Sequence, residues 1–125
     1  MVVTPSPNSY DETTRRLVAA IERRSLTVFA RIDHAGAARA AGLELPDEEV
    51  VIFGNPRAGT PLMQSDPRVG IELPLRLLIW VDAEGTKIGF QDPTELASEY
   101  DVAEHRETLG RMGELLGAVV AEAAG

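Results

Sequence analysis

The sequence contains no cysteine. That excludes disulfides, thiolate nucleophiles, iron–sulfur clusters and the usual structural zinc sites. Histidine is scarce as well: His34 and His105 are the only two. A metal centre would need both of them to converge with carboxylates, and nothing in their spacing suggests it, so no metal is expected. No apolar run approaches membrane-spanning length, and the first residues lack the basic and apolar blocks of a signal peptide. Basic residues are outnumbered, 12 against 20 acidic, for a formal charge of -8. That balance works against a nucleic-acid backbone, which needs clustered Lys and Arg, and against an anionic membrane surface. The expectation is a soluble cytoplasmic protein with no nucleic-acid or membrane partner.

What is present is an ordinary globular composition. With 125 residues, 44% of them apolar and 26% charged, the chain is long enough for a substantial core. No repeat, low-complexity tract or long linker divides it, so residues 1–125 are expected to form one domain.

The chain is organised around Val50 to Leu62, V-V-I-F-G-N-P-R-A-G-T-P-L. An apolar run stops at Gly54, a loop of glycine, asparagine, proline and arginine follows, and Thr60-Pro61 reads as N-cap and first residue of a helix. Strand, glycine-rich loop and helix start in that order can aim backbone N–H groups at an anion. Before it, Val2 to Thr4 reads as a short strand ended by prolines. Ser9 with Glu12 makes a capping box for a helix from Tyr10 to Arg24. Leu26 to Asp33 reads as a strand, with Val28, Ala30 and Ile32 on one face and Thr27, Phe29, Arg31 and Asp33 on the other. His34 to Ala41 is alanine-rich and helical, with Asp33 as its cap and Gly42 as its stop.

After it, Leu75 to Val81 is nearly all apolar, as for a strand covered on both faces or central in its sheet. Thr86 to Gln91 returns as its hairpin partner. Asp92-Pro93 and then Asp101 to Glu104 carry helix-start signals. A final helix shows one apolar stripe: Val102, His105, Leu109, Met112, Leu116, Val119 and Ala123. Gly110, Gly113 and Gly117 along its edge suggest close packing against a sheet or a partner.

The blocks F-A-R-I-D-H-A-G-A-A-R-A-A-G-L (Phe29 to Leu43), V-I-F-G-N-P-R-A-G-T-P-L-M (Val51 to Met63) and L-P-L-R-L-L-I-W-V-D (Leu73 to Asp82) closely resemble the bacterial and archaeal family called domain of unknown function 302 (DUF302). The resemblance runs through nearly the whole chain. It implies an α+β fold of the TATA-binding-protein-like class, a single β-α-β(4)-α domain with an antiparallel sheet packed against helices. The alanine-rich helix would be an extra element after the second strand. The resemblance also implies pairing into homodimers, and it brings no settled activity, which fold class cannot supply either.

The candidate site residues are Arg31, Asp33, His34, Asn55, Arg57 and Thr60. Gly54 to Thr60 has the glycine spacing of a phosphate loop but Gly59 where the phosphate-neutralising lysine belongs, which argues against a nucleotide hydrolase. It reads equally as a tight connection, with Gly54 and Gly59 at unusual backbone angles. Asp33 and His34 are candidates for catalysis if both reach a cavity shared with that loop, His34 carrying a proton near neutral pH. Arg31 and Asp33 share a face and suit a structural pair as well as a ligand contact. Trp80, Phe53 and His105 read as core. Three functions follow: a module binding a small polar or anionic ligand between Asp33-His34 and Asn55–Thr60, a small enzyme using His34 with Asn55 or Thr60, and a ligand-free dimer using the glycine-edged stripe. No cofactor is indicated.

Overall fold

The computed structural model of the chain describes residues 1–125. Strands β1 (Val2–Ser6), β2 (Thr27–Asp33), β3 (Glu48–Gly54), β4 (Leu75–Asp82) and β5 (Gly85–Phe90) form one antiparallel sheet in the order β1-β5-β4-β3-β2. Helix α1 (Tyr10–Arg23) joins β1 to β2, and α2 (His34–Ala40) joins β2 to β3. Helix α3 (Pro56–Ser65) and a 3-10 turn (Pro67–Glu72) join β3 to β4. The short α4 (Leu96–Glu99) precedes the long α5 (Arg106–Ala123). This is the α+β fold and the β-α-β(4)-α order that the resemblance implies, with α2 as the expected extra helix and α3 as a second one between β3 and β4.

Alternation builds the core. Val51 and Phe53 of β3, Leu77 and Ile79 of β4, and Ile88 and Phe90 of β5 point to one face. Leu17, Ala20 and Ile21 of α1, with Leu116, Val119, Val120 and Ala123 of α5, close over them. Burying each large member is worth about 1.5–3 kcal/mol. Arg24, the C-cap of α1, reaches Glu122 of α5 at 2.7 Å, and Arg23 bonds the same carboxylate, so the two helices are also clamped at one end. A second cluster (Leu62, Val69, Val102, Leu109, Met112) joins α3 to the lower half of α5. Leu75 packs against both clusters. Beside the second cluster, Asp66 is 4% exposed and accepts bonds from Arg68 and from the Asp101 backbone.

The opposite face of the sheet is open. Residues paired across strands share a face, so Ile32, Val50, Leu78, Gly89 and Val3 form one row across all five strands. Ile52 and Arg76 lie beside that row on one side, and Glu48, Trp80 and Lys87 on the other. Strand β4 is therefore central but covered on only one face. Trp80 is half-buried on the open side and not in the core, whereas Phe53 is fully buried.

Several boundaries differ from the sequence reading for local reasons. Strand β1 continues through Pro5 to Ser6, which an edge strand tolerates because its outer N–H has no ladder partner to lose. The register of β2 shifts between Val28 and Ala30. This bulge at Phe29 sends Val28 to the helix side, opposite Phe53, while Ala30 and Ile32 face the open side. In α5 the apolar stripe is spent inside the protein: all its members are buried except half-buried His105. The glycine edge does not pack against the sheet: Gly110 and Gly117 are open in the single chain, and Gly113 sits against the Asp92-Pro93 turn. Asp101 does not cap α5; its N–H is used by Asp66, and α5 starts at Arg106 with no side-chain cap.

Candidate ligand cavity at the start of helix α3

The segment read as a loop is helix. Asn55 is the N-cap and Pro56 the first residue of α3, so the helix begins five residues before Thr60-Pro61 and carries Pro61 inside it. Asn-Pro offers the same cap-and-proline signal as Thr-Pro, and the earlier pair is the one used. Asn55 Oδ1 accepts the Arg57 N–H at 3.0 Å, and the Asn55 carbonyl accepts those of Ala58 and Gly59. Pro56 has no N–H. The donors that sequence order aims at an anion are thus consumed by Asn55 itself. Gly54 ends a strand and Gly59 lies in the helix; the positive-φ glycines are Gly42 and Gly85, which end α2 and turn the β4–β5 hairpin.

Beneath that first turn lies a cavity of about 210 Å3. Leu26 and Phe29 wall it on the β2 side, Met63 on α3, Leu73 and Leu75 on the approach to β4, and Met112 and Leu115 on α5. Asn55 and Thr60 are its polar side chains, and no charged residue lines it. The bulge matters here: Phe29, 50% exposed, joins this wall out of the alternation of its strand. A shallower depression adjoins the cavity and shares Leu26, Asn55, Ala58, Met112 and Leu115 with it. Arg57, Thr108 and Arg111 line the depression but not the cavity.

The Asp33-His34 junction sits elsewhere. Thr27 pairs with Gly54 and Asp33 with Glu49, so the two candidate groups occupy opposite ends of the β2–β3 ribbon. Five residues of strand separate them, about 17 Å at the usual rise. Asp33 caps α2, accepting the Gly36 N–H at 2.9 Å. His34 is exposed and lines a trough on the open sheet face with Ile32, Val50 and Leu78. The buried His34 within reach of the Asn55 loop that an enzyme would need is not what the fold provides. Arg31 makes the structural pair instead, donating to Glu49 at 2.7 and 3.1 Å, with Glu49 5% exposed. Tyr10 at the start of α1 completes this end; burial, then the charges of Glu49, Asp33 and Asp47, push its phenol well above the usual value.

Of the six candidates, the structure brings Asn55 and Thr60 to one cavity and Arg57 to its edge, and leaves Arg31, Asp33 and His34 apart from them. His105 Nε2 lies 3.7 Å from the Glu104 carboxylate and lines neither the cavity nor the depression beside it. No three histidine or acidic side chains converge to hold a metal ion. Sequence reasoning missed Phe29, Met63, Met112 and Arg111. Met112 was legible as part of the stripe, and Arg111 is its neighbour on the adjoining helix face; Phe29 depended on the bulge, which no local signal announces.

The chain matches the family described as Domain of unknown function DUF302 over residues 2–121. It is similar to the crystal structure of an uncharacterized conserved protein DUF302 from Bacillus stearothermophilus, with a TM-score of 0.87 at 20% identity, covering 98% of this chain and 96% of that one. It is also 40% identical over 103 residues to "Fluoride-specific ion channel FluC 1" of Brucella suis biovar 1 (strain 1330) and to a protein of the same name from Brucella abortus biovar 1 (strain 9-941). Those matches take in 82% of this chain but only 41% and 38% of the relatives, so the chain spans about two fifths of the curated relatives it matches. No helix of the structure is long and apolar enough to cross a membrane. Match, topology and strand order agree: the chain belongs to the DUF302 family.

Proposed function

We propose that this domain is a binding module whose site is the cavity under the first turn of α3. One observation carries the reading: a hollow of about 210 Å3 lined mainly by apolar residues with two polar side chains, Asn55 and Thr60, among them. Small-molecule sites have this composition, apolar surface for affinity and a few polar groups for orientation. The ligand is small and mainly apolar, with a polar group read by the Asn55 amide nitrogen or the Thr60 hydroxyl. An ion buried within the cavity would be desolvated without a countercharge, which the wall does not supply. Asp33 and His34 take no part. The channel name of the Brucella relatives describes proteins of which this chain matches two fifths, and we do not carry it over.

The test fills the hollow. A Cβ at Gly59 would meet Leu73 at 3.6 Å, an ordinary contact, and Gly59 lines the cavity, so Gly59→Leu is the substitution chosen to fill it, with its unperturbed far-ultraviolet spectrum as the folding control. A thermal-shift screen of small apolar alcohols, ketones and acids is expected to stabilise the wild type and not Gly59→Leu. Equal response in both proteins overturns the reading.

The homodimer implied by the family resemblance is a second reading, and the open sheet face favours it. Its central row ends in Ile32 and Val3, 43% and 47% exposed, and an apolar row across five strands suits a second copy better than water. Sedimentation of wild type against Ile32→Asp at micromolar concentration checks it; a wild-type monomer removes it.

A further inference from the structure

We infer that the ligand is an amphipathic monoanion: an apolar chain in the α3 cavity and a carboxylate, or an acid of like geometry, held outside it by Arg57 and Arg111. The inference rests on the cavity reading above and adds the chemical class of the ligand. The cavity and the neighbouring depression adjoin, sharing five lining residues, so the head group of a molecule seated in the first lies beside the second. That second space, about 330 Å3, is lined by two arginines and no acidic residue. In a chain of net charge -8 this is a local reversal of sign.

Both guanidiniums are available. Arg57 makes no side-chain hydrogen bond or ion pair, and only its backbone N–H is engaged, by Asn55. Arg111 has two contacts at 3.5 Å, an exposed ion pair to Glu107 and a hydrogen bond to Thr108 at its outer limit. Several other arginine clamps are tighter, Arg16–Glu12 at 2.8 Å and Arg24–Glu122 at 2.7 Å among them, while Arg76–Glu72 is as long at 3.5 Å. Guanidinium suits a carboxylate because its forked donors match two oxygens at once. An apolar wall without charge, beside one unpaired and one loosely paired cation, is the arrangement an amphiphile's two ends require.

The three methionines make the test direct. Met63 and Met112 line the cavity, while Met1 lies on the open sheet face over Gly89 and serves as an internal control. Protein labelled with 13C in the methionine methyl groups is titrated with decanoate, decanol, decyltrimethylammonium and butyrate. Decanoate is expected to shift Met63 and Met112 and leave Met1 in place. It should bind about tenfold tighter than decanol, as for a charge-assisted hydrogen bond. Octanoate should bind about an order of magnitude more weakly than decanoate, near fourfold per methylene. Arg57→Gln/Arg111→Gln should remove the preference for decanoate and leave decanol unchanged.

Decanol binding in the cavity as tightly as decanoate, or a preference that survives the double substitution, overturns the carboxylate assignment and leaves the cavity reading standing. No shift at Met63 and Met112 with any decyl compound, or the same shifts in Gly59→Leu, overturns both. Butyrate binding as well as decanoate would show a head-group site without a cavity, and also overturns the inference.

Discussion

Arg31 holds Glu49 with two guanidinium nitrogens, Nε at 3.1 Å and Nη2 at 2.7 Å, and the carboxylate they hold is almost sealed from solvent. Removing the arginine strands a buried charge. Arg31→Ala is expected to cost about 2 kcal/mol in urea unfolding, below the full penalty for a broken buried pair because the Arg31 side chain is half exposed. The Tyr10 phenol provides an independent reading. Glu49→Gln removes the largest of the nearby charges that hold its titration up, so in a Tyr100→Phe background the alkaline ultraviolet transition should move to lower pH.

Acid should unfold the protein through identifiable groups. Bonds from the Arg68 side chain, then the Asp101 N–H, hold Asp66 well below the usual carboxylate range. Bonds from Arg15 and then Arg16 bring Glu12 down to about 2. Both values are lower folded than unfolded, so the unfolded chain binds more protons as pH falls. The stability they confer is complete above their ordinary values of 3.8 and 4.5 and is lost as pH drops through the folded ones. Melting temperature should fall steadily from pH 4.5 to pH 2. Asp66→Asn should flatten the lower part of that limb and lower the melting temperature at pH 7.

Asn55 separates capping from recognition. As an N-cap its loss to alanine should destabilise the protein by about 1 kcal/mol, measured in urea. Asn55→Ser should restore most of that stability. If Asn55 also orients a ligand through its amide nitrogen, serine will not restore affinity, and the two variants will match in binding while differing in stability.

Gly89 sits beneath the only tryptophan. A Cβ there would lie 3.0 Å from Cζ3 of Trp80 and 2.8 Å from the movable sulfur of Met1. Gly89→Ala should displace the ring, changing the tryptophan emission maximum, and cost about 1 kcal/mol as overpacking. An unchanged emission spectrum would mean that the ring does not rest on β5.

The sequence announced what is decided within a few residues. Ser9 caps α1 and Asp33 caps α2 as their spacing implies, because a cap needs only a side-chain oxygen and an N–H two or three positions on. The β4–β5 hairpin turns at Gly85 for the same local reason. What escaped was set by distant partners. Asp101 donates its backbone N–H to the Asp66 carboxylate, 35 residues away, and its own side chain caps no helix. Asn55 and Thr60 carry equivalent helix-start signals, and only the tertiary fold chooses the earlier one. The candidate site divided because register is a long-range property: Thr27 opposite Gly54 fixes Asp33 at the far end, and neither segment contains that information alone.

The first strand of the chain has its only partner in the last one, β5, and the helix that seals the core beside α1 comes after both. During synthesis, β1 and the apolar side of β3 and β4 must therefore wait for nearly the whole domain to leave the ribosome. Until α5 emerges, the nascent chain carries an uncovered greasy surface and an unzipped sheet edge, the conditions under which chaperones bind and slow, non-local folding invites aggregation.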